Sequence, residues 1–488
     1  MVFSSLSFIF VFLPIVLLIF YSIRKELRFG FLLVASLFFY FMGENYLIWV
    51  MLTTTIIDYI CGIMISGGIK TQPMALPVNG QRTIHQKFWL ALSIVSNLSL
   101  LGYFKYYNFF VEATIKLLHS AGLSSSAFDG FTQVTLPLGI SFYTFQSMSY
   151  TIDVYRGHVT ANRNFINFGM FVTMFPQLVA GPIVRYTDVD QQIKHHVLQT
   201  DNFVYGIKRF IIGLGKKVLI ANTLGQLADQ VYSLPPENMS LLEAWIGTVA
   251  YALQIYFDFS GYSCMAIGLG KMFGFTFPEN FNYPYTSTSV KEFWTRWHMT
   301  LSTWFRDYLY IPLGGNRISS IVTIRNLFVV FILCGVWHGA AWTFILWGVF
   351  HGSFLMLERT KIGIFLKDQP NFIQRIYFLL IILLSWVVFR SDSIAQAKSI
   401  YINMFTGSLS ISLSTISMLT TEMIGTFIIG LVLSMPVFKY IQKKNQGLSP
   451  WQENFLEIAY FGLIMLIFIL SIKSLLFNSF NPFIYYRF

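Results

Sequence analysis

Two histidines in apolar surroundings, His338 and His298, have the clearest chemical potential in this chain. From Asn326 to Leu357 there is no Asp, Glu, Lys or Arg, and inside that run stands Gly335-Val336-Trp337-His338-Gly339-Ala340-Ala341-Trp342. An ionisable group within a membrane segment is costly, usually faces a cavity or the bundle interior, and marks a functional site by default. A neutral imidazole in such a place can accept a proton, which is the work of a general base. His298 lies in Lys291-Glu292-Phe293-Trp294-Thr295-Arg296-Trp297-His298-Met299-Thr300-Leu301-Ser302-Thr303-Trp304-Phe305-Arg306-Asp307-Tyr308, where three Trp and several charges share one amphipathic stretch. A helix lying at the membrane interface accounts for the Trp and Arg residues. It does not account for a histidine at the centre, so His298 is expected to point inward.

A third apolar histidine, His351, follows His338 by 13 residues. On one continuous helix the two are roughly 140° apart, too far around the axis to line one narrow pocket. One of them is then structural, and the tighter glycine setting favours His338 as the reactive one. His85, His119, His158, His195 and His196 occupy polar loops or segment edges and read as solvated or structural. Asp258, in Gln254-Ile255-Tyr256-Phe257-Asp258-Phe259-Ser260-Gly261-Tyr262, and Asp153 are each able to orient an imidazole, to pair with a cation or to cap a broken helix; the structural role is the favoured one. Cys61, Cys264 and Cys334 have no metal-ligand spacing and no disulfide framework. There is no Gly-x-Ser-x-Gly elbow and no Walker-type phosphate loop.

The elements that must position these residues are those of a polytopic membrane protein. Of 488 residues 55% are hydrophobic and 11% charged, with a mean hydropathy of +0.60, whereas soluble domains carry about 25% charged residues. Segment 5–23 lacks a basic leader and a small-residue cleavage site, and so reads as a retained spanning helix. Runs of spanning length fall near 5–23, 29–44, 46–66, 88–104, 165–184, 205–222, 241–257, 326–357, 373–391, 423–441 and 454–472. Stretches near 136–152 and 259–277 are apolar but contain or abut Pro137 and Gly139, or Ser260, Gly261, Gly268 and Gly270, and read as broken or re-entrant helices. The expected fold is an all-α bundle of about 11–13 spanning or re-entrant helices, forming a single domain over 1–488. The run 326–357 would be about 48 Å long as one helix, so it tilts, bends or divides. Gly335/Gly339 and Gly348/Gly352 give it faces for close helix packing. No internal repeat supports an inverted-repeat transporter. The net charge of +11 gathers in short loops (Arg24, Lys25 and Arg28; Lys70, Arg82 and Lys87; Lys439, Lys443 and Lys444). That is the pattern of positive-inside loops, not of nucleic-acid binding.

Taken together, these blocks resemble the membrane-bound O-acyltransferase family, and within it the bacterial alginate O-acetyltransferase-like branch. The resemblance rests on Leu136-Pro137-Leu138-Gly139-Ile140-Ser141-Phe142-Tyr143-Thr144-Phe145-Gln146, Phe175-Pro176-Gln177-Leu178-Val179-Ala180-Gly181-Pro182-Ile183, Tyr256 to Tyr262, and Phe281-Asn282-Tyr283-Pro284-Tyr285. It is strongest at Phe293 to Tyr308, Tyr310-Ile311-Pro312-Leu313-Gly314-Gly315-Asn316 and Trp337-His338-Gly339-Ala340. The start, Met1 to Ser5, and the end, Phe483 to Phe488, also look like that branch. The resemblance implies a funnel-shaped bundle in a bacterial inner membrane, with His338 as the essential histidine and His298 as a second one. His338 would take the proton of an acceptor hydroxyl attacking an acetyl thioester. His298 would polarise the carbonyl or hold the acceptor. No bound cofactor is implied; the donor substrate would be acetyl-CoA or an acylated carrier. The implied partners are an extracytoplasmic acetyltransferase or polysaccharide-export proteins. A sister branch transfers D-alanine to teichoic acids, which keeps acyl transfer to a cell-wall polymer open. A reading of another class, a proton-coupled transporter using His338 and Asp258, is disfavoured by the absence of repeats.

The charge pattern makes a first prediction. The loops holding Arg24–Arg28 and Lys70–Lys87 face the cytoplasm, with the N-terminus outside. Single cysteines placed in either loop should resist a membrane-impermeant thiol reagent in intact cells and react after permeabilisation. Labelling in intact cells reverses the orientation.

Overall fold

A computed structural model describes the chain except for residues 1, 69–74, 79, 126–127, 129, 180, 438–439, 441–448, 478–479 and 483–488. Lys70, Ala180, Lys439, Lys443, Lys444 and the terminal Phe483–Phe488 therefore lie outside the described residues. What is described is all helix and loop: 76% helical, with no strand. Five helical stretches are long and apolar enough to cross a membrane, namely Lys25–Ile65, Ile84–Ser120, Ser320–His338, Asn371–Arg390 and Pro450–Phe477, and three shorter apolar helices accompany them.

The chain divides into two compact units, 1–203 with 270–278, and 204–269 with 279–488. The first contains α1 (Leu13–Ser22), α2 (Arg28–Glu44), α3 (Ile48–Ile65), α4 (Ile84–Ser120), α5 (Ile140–Arg156), α6 (Phe165–Thr173), α7 (Phe175–Leu178) and α8 (Tyr186–Lys194). Thr83 and Gln86 close a capping box at the start of α4, satisfying two backbone donors that a helix end leaves open. The stretch near 136–152, expected as broken, contains an unbroken helix: Pro137 precedes it and Gly139, at φ +74, is its N-cap. The helix breakers mark its start and not an interruption. The run 165–184, expected as one span, divides instead at Met174, whose extended backbone separates α6 from a short turn opened by Pro176. Where α3, α4 and α5 meet, buried Asp58 accepts hydrogen bonds from Ser93 Oγ (2.5 Å), Asn97 Nδ2 (2.8 and 2.9 Å) and Ser147 Oγ. A carboxylate taken out of water needs such donors, because burial without them costs several kcal/mol or more.

The second unit holds most of α9 (Thr200–Gly215) and α11 (Leu241–Met272), with α10 (Asn222–Tyr232) between them, then α12 (Val290–Trp294), α13 (Met299–Phe305), α14 (Ser320–His338), α15 (Trp342–Leu357), α16 (Lys361–Lys367), α17 (Asn371–Arg390), α18 (Ile394–Thr406), α19 (Leu413–Met418), α20 (Thr421–Leu433) and α21 (Pro450–Phe477). Here the expectation of a broken helix near 259–277 is overturned: α11 runs through Ser260, Gly261, Gly268 and Gly270 without interruption. The glycines serve packing. A Cβ on Gly261 would stand 2.8 Å from the Gly213 carbonyl oxygen, and one on Gly268 would stand 2.6 Å from that of Gly206, so α9 and α11 touch backbone to backbone. On this contact sits an ion pair, Lys217 Nζ to Asp258 Oδ1 at 2.6 Å, both side chains 1% exposed. Asn222 Oδ1 (2.7 Å) and the Pro482 carbonyl also accept from the Lys217 ammonium. Asp258 is thus committed to a lysine, in line with its structural reading.

The packing generates a second prediction. Gly268→Leu forces α9 and α11 apart and should destabilise the protein by about 1–3 kcal/mol. Gly462→Ala, whose methyl would meet nothing within 4 Å, should be neutral or stabilising by up to about 1 kcal/mol. Thermal unfolding in detergent reads both; equal losses at the two positions contradict the close approach.

Candidate functional site

The run 326–357 is two helices. α14 ends at His338, Gly339 and Ala341 are extended, and α15 starts at Trp342. The angle argued for a continuous helix therefore does not apply. The glycine spacing acts across the hairpin: a Cβ on Gly335 would lie 2.3 Å from the Phe344 carbonyl oxygen, and one on Gly348 would lie 2.3 Å from that of Phe331. This contact fixes where α14 stops and holds His338 at its last turn, 4% exposed. The imidazole packs edge-on against Trp347 (5.1 Å between ring centroids), Phe389 (5.2 Å) and its neighbour Trp337 (5.0 Å).

The Lys291–Tyr308 stretch is not one interfacial helix. α12 stops at Trp294, α13 begins at Met299, and a wider π-helical turn continues from Arg306 to Tyr310. His298 lies in the break with φ +42, a left-handed conformation, and it is fully buried. A non-glycine residue there costs on the order of 1–3 kcal/mol and persists only where its surroundings enforce it. The enforcing residue is Asn280. Its carbonyl accepts from Met299 N (2.9 Å), while Asn282 N donates to the Arg296 carbonyl (2.9 Å), tying the two chain segments together. Its side-chain Oδ1 faces His298 Nδ1 (3.1 Å), Thr300 N (3.2 Å) and Thr300 Oγ1 (2.9 Å). The His298 ring stands edge-on to Phe259 at 4.6 Å and lies 6.1 Å from Trp337. Burial pushes its imidazole down to about 3, so it is neutral at pH 7. The inward direction expected for His298 is therefore present, and Trp337 packs on both imidazoles.

His351, on α15, is also fully buried, but its Nδ1 accepts from Trp294 Nε1 at 3.3 Å, and Trp294, Trp347 and Phe331 surround it. This bond ties α12 to α15. His85 is bonded by Trp89, His119 pairs with Ser125, His158 lies 3.6 Å from Asp153, and His196 reaches the Phe273 carbonyl. Asp153 thus faces an exposed histidine in the first unit. All three cysteines are buried thiols.

A cavity of about 980 Å³ opens beside this centre in the second unit. Its apolar walls include Trp294, Leu301, Phe331 and Cys334, and Lys291, Arg306, Arg317, Arg359 and Lys367 supply positive charge. Neither His298 nor His338 is among its lining residues. The cavity reaches their neighbours: Leu301 three residues beyond His298, and Cys334 one helical turn before His338. A volume of this size holds a ligand of drug size or larger. Asn280 was missed in the sequence, although it immediately precedes the Phe281–Tyr285 block. Lys217 was missed too, its only mark being a cation at the end of the apolar run Ile211–Leu214.

The model of the MBOAT, membrane-bound O-acyltransferase, family matches residues 37–395. The chain is 42% identical to the probable alginate O-acetylase of Pseudomonas aeruginosa, over 92% of this chain and 83% of that one. It is 34% identical to a peptidoglycan O-acetyltransferase of Helicobacter pylori, over 82% and 79%. It is 32% identical to a teichoic acid D-alanyltransferase of Bacillus subtilis, over 42% and 54%.

The burial of His298 has a sign that can be measured. Its folded value lies below the ordinary 6.5, so its contribution to stability is complete above pH 6.5 and is lost as pH falls toward the folded value. Thermal unfolding from neutral pH down to about pH 5 should fall more steeply for the wild type than for His298→Gln. Parallel curves contradict a buried neutral imidazole.

Proposed function

The chain belongs to the membrane-bound O-acyltransferase family, and on that footing we propose that it carries acetyl groups from a cytoplasmic thioester donor across the membrane toward an exported polysaccharide such as alginate. It is an acyltransferase embedded in a membrane. The observation that carries the finer reading is the pairing of two buried histidines, His338 and His298, around Trp337. Beside them lies a cavity that combines apolar walls with five cationic side chains. A donor with an uncharged acyl-thioester end and a phosphate-bearing handle suits that combination, because guanidinium and ammonium groups bind phosphate strongly. Acetyl-CoA and an acylated carrier both have this chemistry.

In this reading His338 takes the proton from an acceptor hydroxyl as its oxygen attacks the thioester carbonyl. The carbon–oxygen bond forms, the carbon–sulfur bond breaks, and the thiolate leaves and is protonated. His298 works on the same reacting groups. Holding thioester and hydroxyl together supplies much of the rate, as in any reaction made effectively intramolecular. The match spans residues of both compact units, which supports reading them as one catalytic domain. A bacterial inner membrane, an extracytoplasmic acetyltransferase and polysaccharide-export proteins complete the setting. Acyl transfer to peptidoglycan or teichoic acid is the second reading, favoured by the likeness to the Helicobacter pylori and Bacillus subtilis enzymes.

The test is labelled transfer from acetyl-CoA in nanodiscs, with alginate oligosaccharides, peptidoglycan fragments or candidate partner proteins added in turn. His338→Gln keeps similar bulk but cannot take the proton. It should lose about 10²–10⁴-fold in turnover while unfolding at a near-normal temperature. His298→Ala should lose activity with protein level maintained, and His351→Ala should be milder and act through stability. A stable His338→Gln variant with near-normal turnover removes His338 from the chemistry.

A further inference from the structure

We infer that Asn280 is a positioning residue that locks His298 in one tautomer, with the proton on Nδ1 and the lone pair on Nε2, so that His298 receives the acceptor hydroxyl and does not polarise the thioester carbonyl. The inference rests on the acyl-transfer reading for what His298 touches, and on hydrogen bonding alone for the tautomer.

The atoms leave one consistent arrangement. Asn280 is fully buried, and one end of its side-chain amide faces Thr300 N at 3.2 Å. A backbone N–H only donates, so the amide atom opposite must be the oxygen. The other end of the amide then donates to Ser263 Oγ at 3.1 Å. The same oxygen faces His298 Nδ1 at 3.1 Å. Two lone pairs facing each other repel, so Nδ1 carries the hydrogen. In a neutral imidazole the other nitrogen is then an acceptor. A neutral ring of this tautomer has nothing to donate from Nε2 to a carbonyl oxygen. It accepts from an O–H.

The backbone shows why an asparagine outside the helix is needed. His298 is the N-cap of α13 yet its own side chain makes no capping bond. N-cap residues normally turn their side chains back onto the helix to satisfy a free N–H. Here Asn280 Oδ1 supplies that bond to Thr300 N from another part of the chain, and its carbonyl takes Met299 N. The histidine is thereby released from capping, and its ring projects between Phe259 and Trp337. One residue sets the strained backbone, the helix start and the tautomer. The side chains that meet the ring, Phe259, Trp337 and Asn280, carry no charge.

The experiment uses the full chain in nanodiscs. Solid-state NMR of ¹⁵N-imidazole-labelled protein, with the His298 signals found by difference against His298→Gln, should show Nδ1 protonated and Nε2 bare at neutral pH. Asn280→Leu removes the acceptor. It should mix the tautomers and lower turnover of acetyl-CoA with the active acceptor by about 10–100-fold, the loss usual when a group orienting a functional imidazole is removed, with the KM for acetyl-CoA unchanged. Asn280→Asp restores an acceptor. It should recover most of that turnover, keep Nδ1 protonated, and move the acidic limb of the pH–rate profile upward, because a carboxylate stabilises the protonated ring. Should the leucine variant not fold, the wild-type spectrum and the aspartate variant decide. Protonated Nε2 in the wild type overturns the inference, as does normal turnover in a folded Asn280→Leu. A wild type with the stated tautomer but no acetyl transfer to any acceptor overturns the functional reading and leaves the lock intact.

Discussion

The second unit depends on backbones meeting without side chains between them. Gly335 lies on the Phe344 carbonyl and Gly348 on that of Phe331, so α14 and α15 stand closer than any other residue type permits. Within a lipid solvent there is little hydrophobic drive to bring helices together, and close van der Waals contact takes its place. The same device joins α9 and α11 through Gly213, Gly261, Gly206 and Gly268. The first contact fixes the turn that ends in His338. The second brings Lys217 and Asp258 together. Both the chemistry and the charge compensation inherit their geometry from these glycines.

A second constraint is that polar groups removed from water must be answered locally. Asp58 is answered by two hydroxyls and an amide, Lys217 by a carboxylate and two oxygens, and His351 by an indole N–H. His298 differs in that its partner, Asn280, also holds a strained backbone and starts a helix. Where one residue carries several such duties, loss of it is not confined to one bond.

Most helices were legible because spanning segments are long and nearly uncharged, and a period as strong as that survives any tertiary context. Breaks were harder. Gly261 and Gly268 read as interruptions in α11, since glycine weakens a helix locally; only the neighbour α9 reveals that they are contact points. The reverse happened at Met174 and at Thr295 to His298, where no glycine announces the break. His338 and His298 were legible because a histidine in an apolar run needs a reason. Asn280 was not, because asparagine is an ordinary loop residue, and the three hydrogen bonds of its side-chain oxygen are to residues 18 and 20 positions away that no local pattern connects to it. The run holding His338 and His351 divides for a related cause: Gly339 and Ala341 are extended, so the two histidines lie on different helices.

The contact of Lys217 with Pro482, and of Asn222 with Asn481, joins sequence positions some 260 residues apart. Pro482 thus helps to cover a buried ammonium. Displacing this segment removes one of the oxygens on the Lys217 ammonium and leaves Asp258 and Asn222 to hold it. The Asn481–Pro482 segment thereby becomes a point from which the ion pair on the α9–α11 contact can be loosened without touching a residue of either helix.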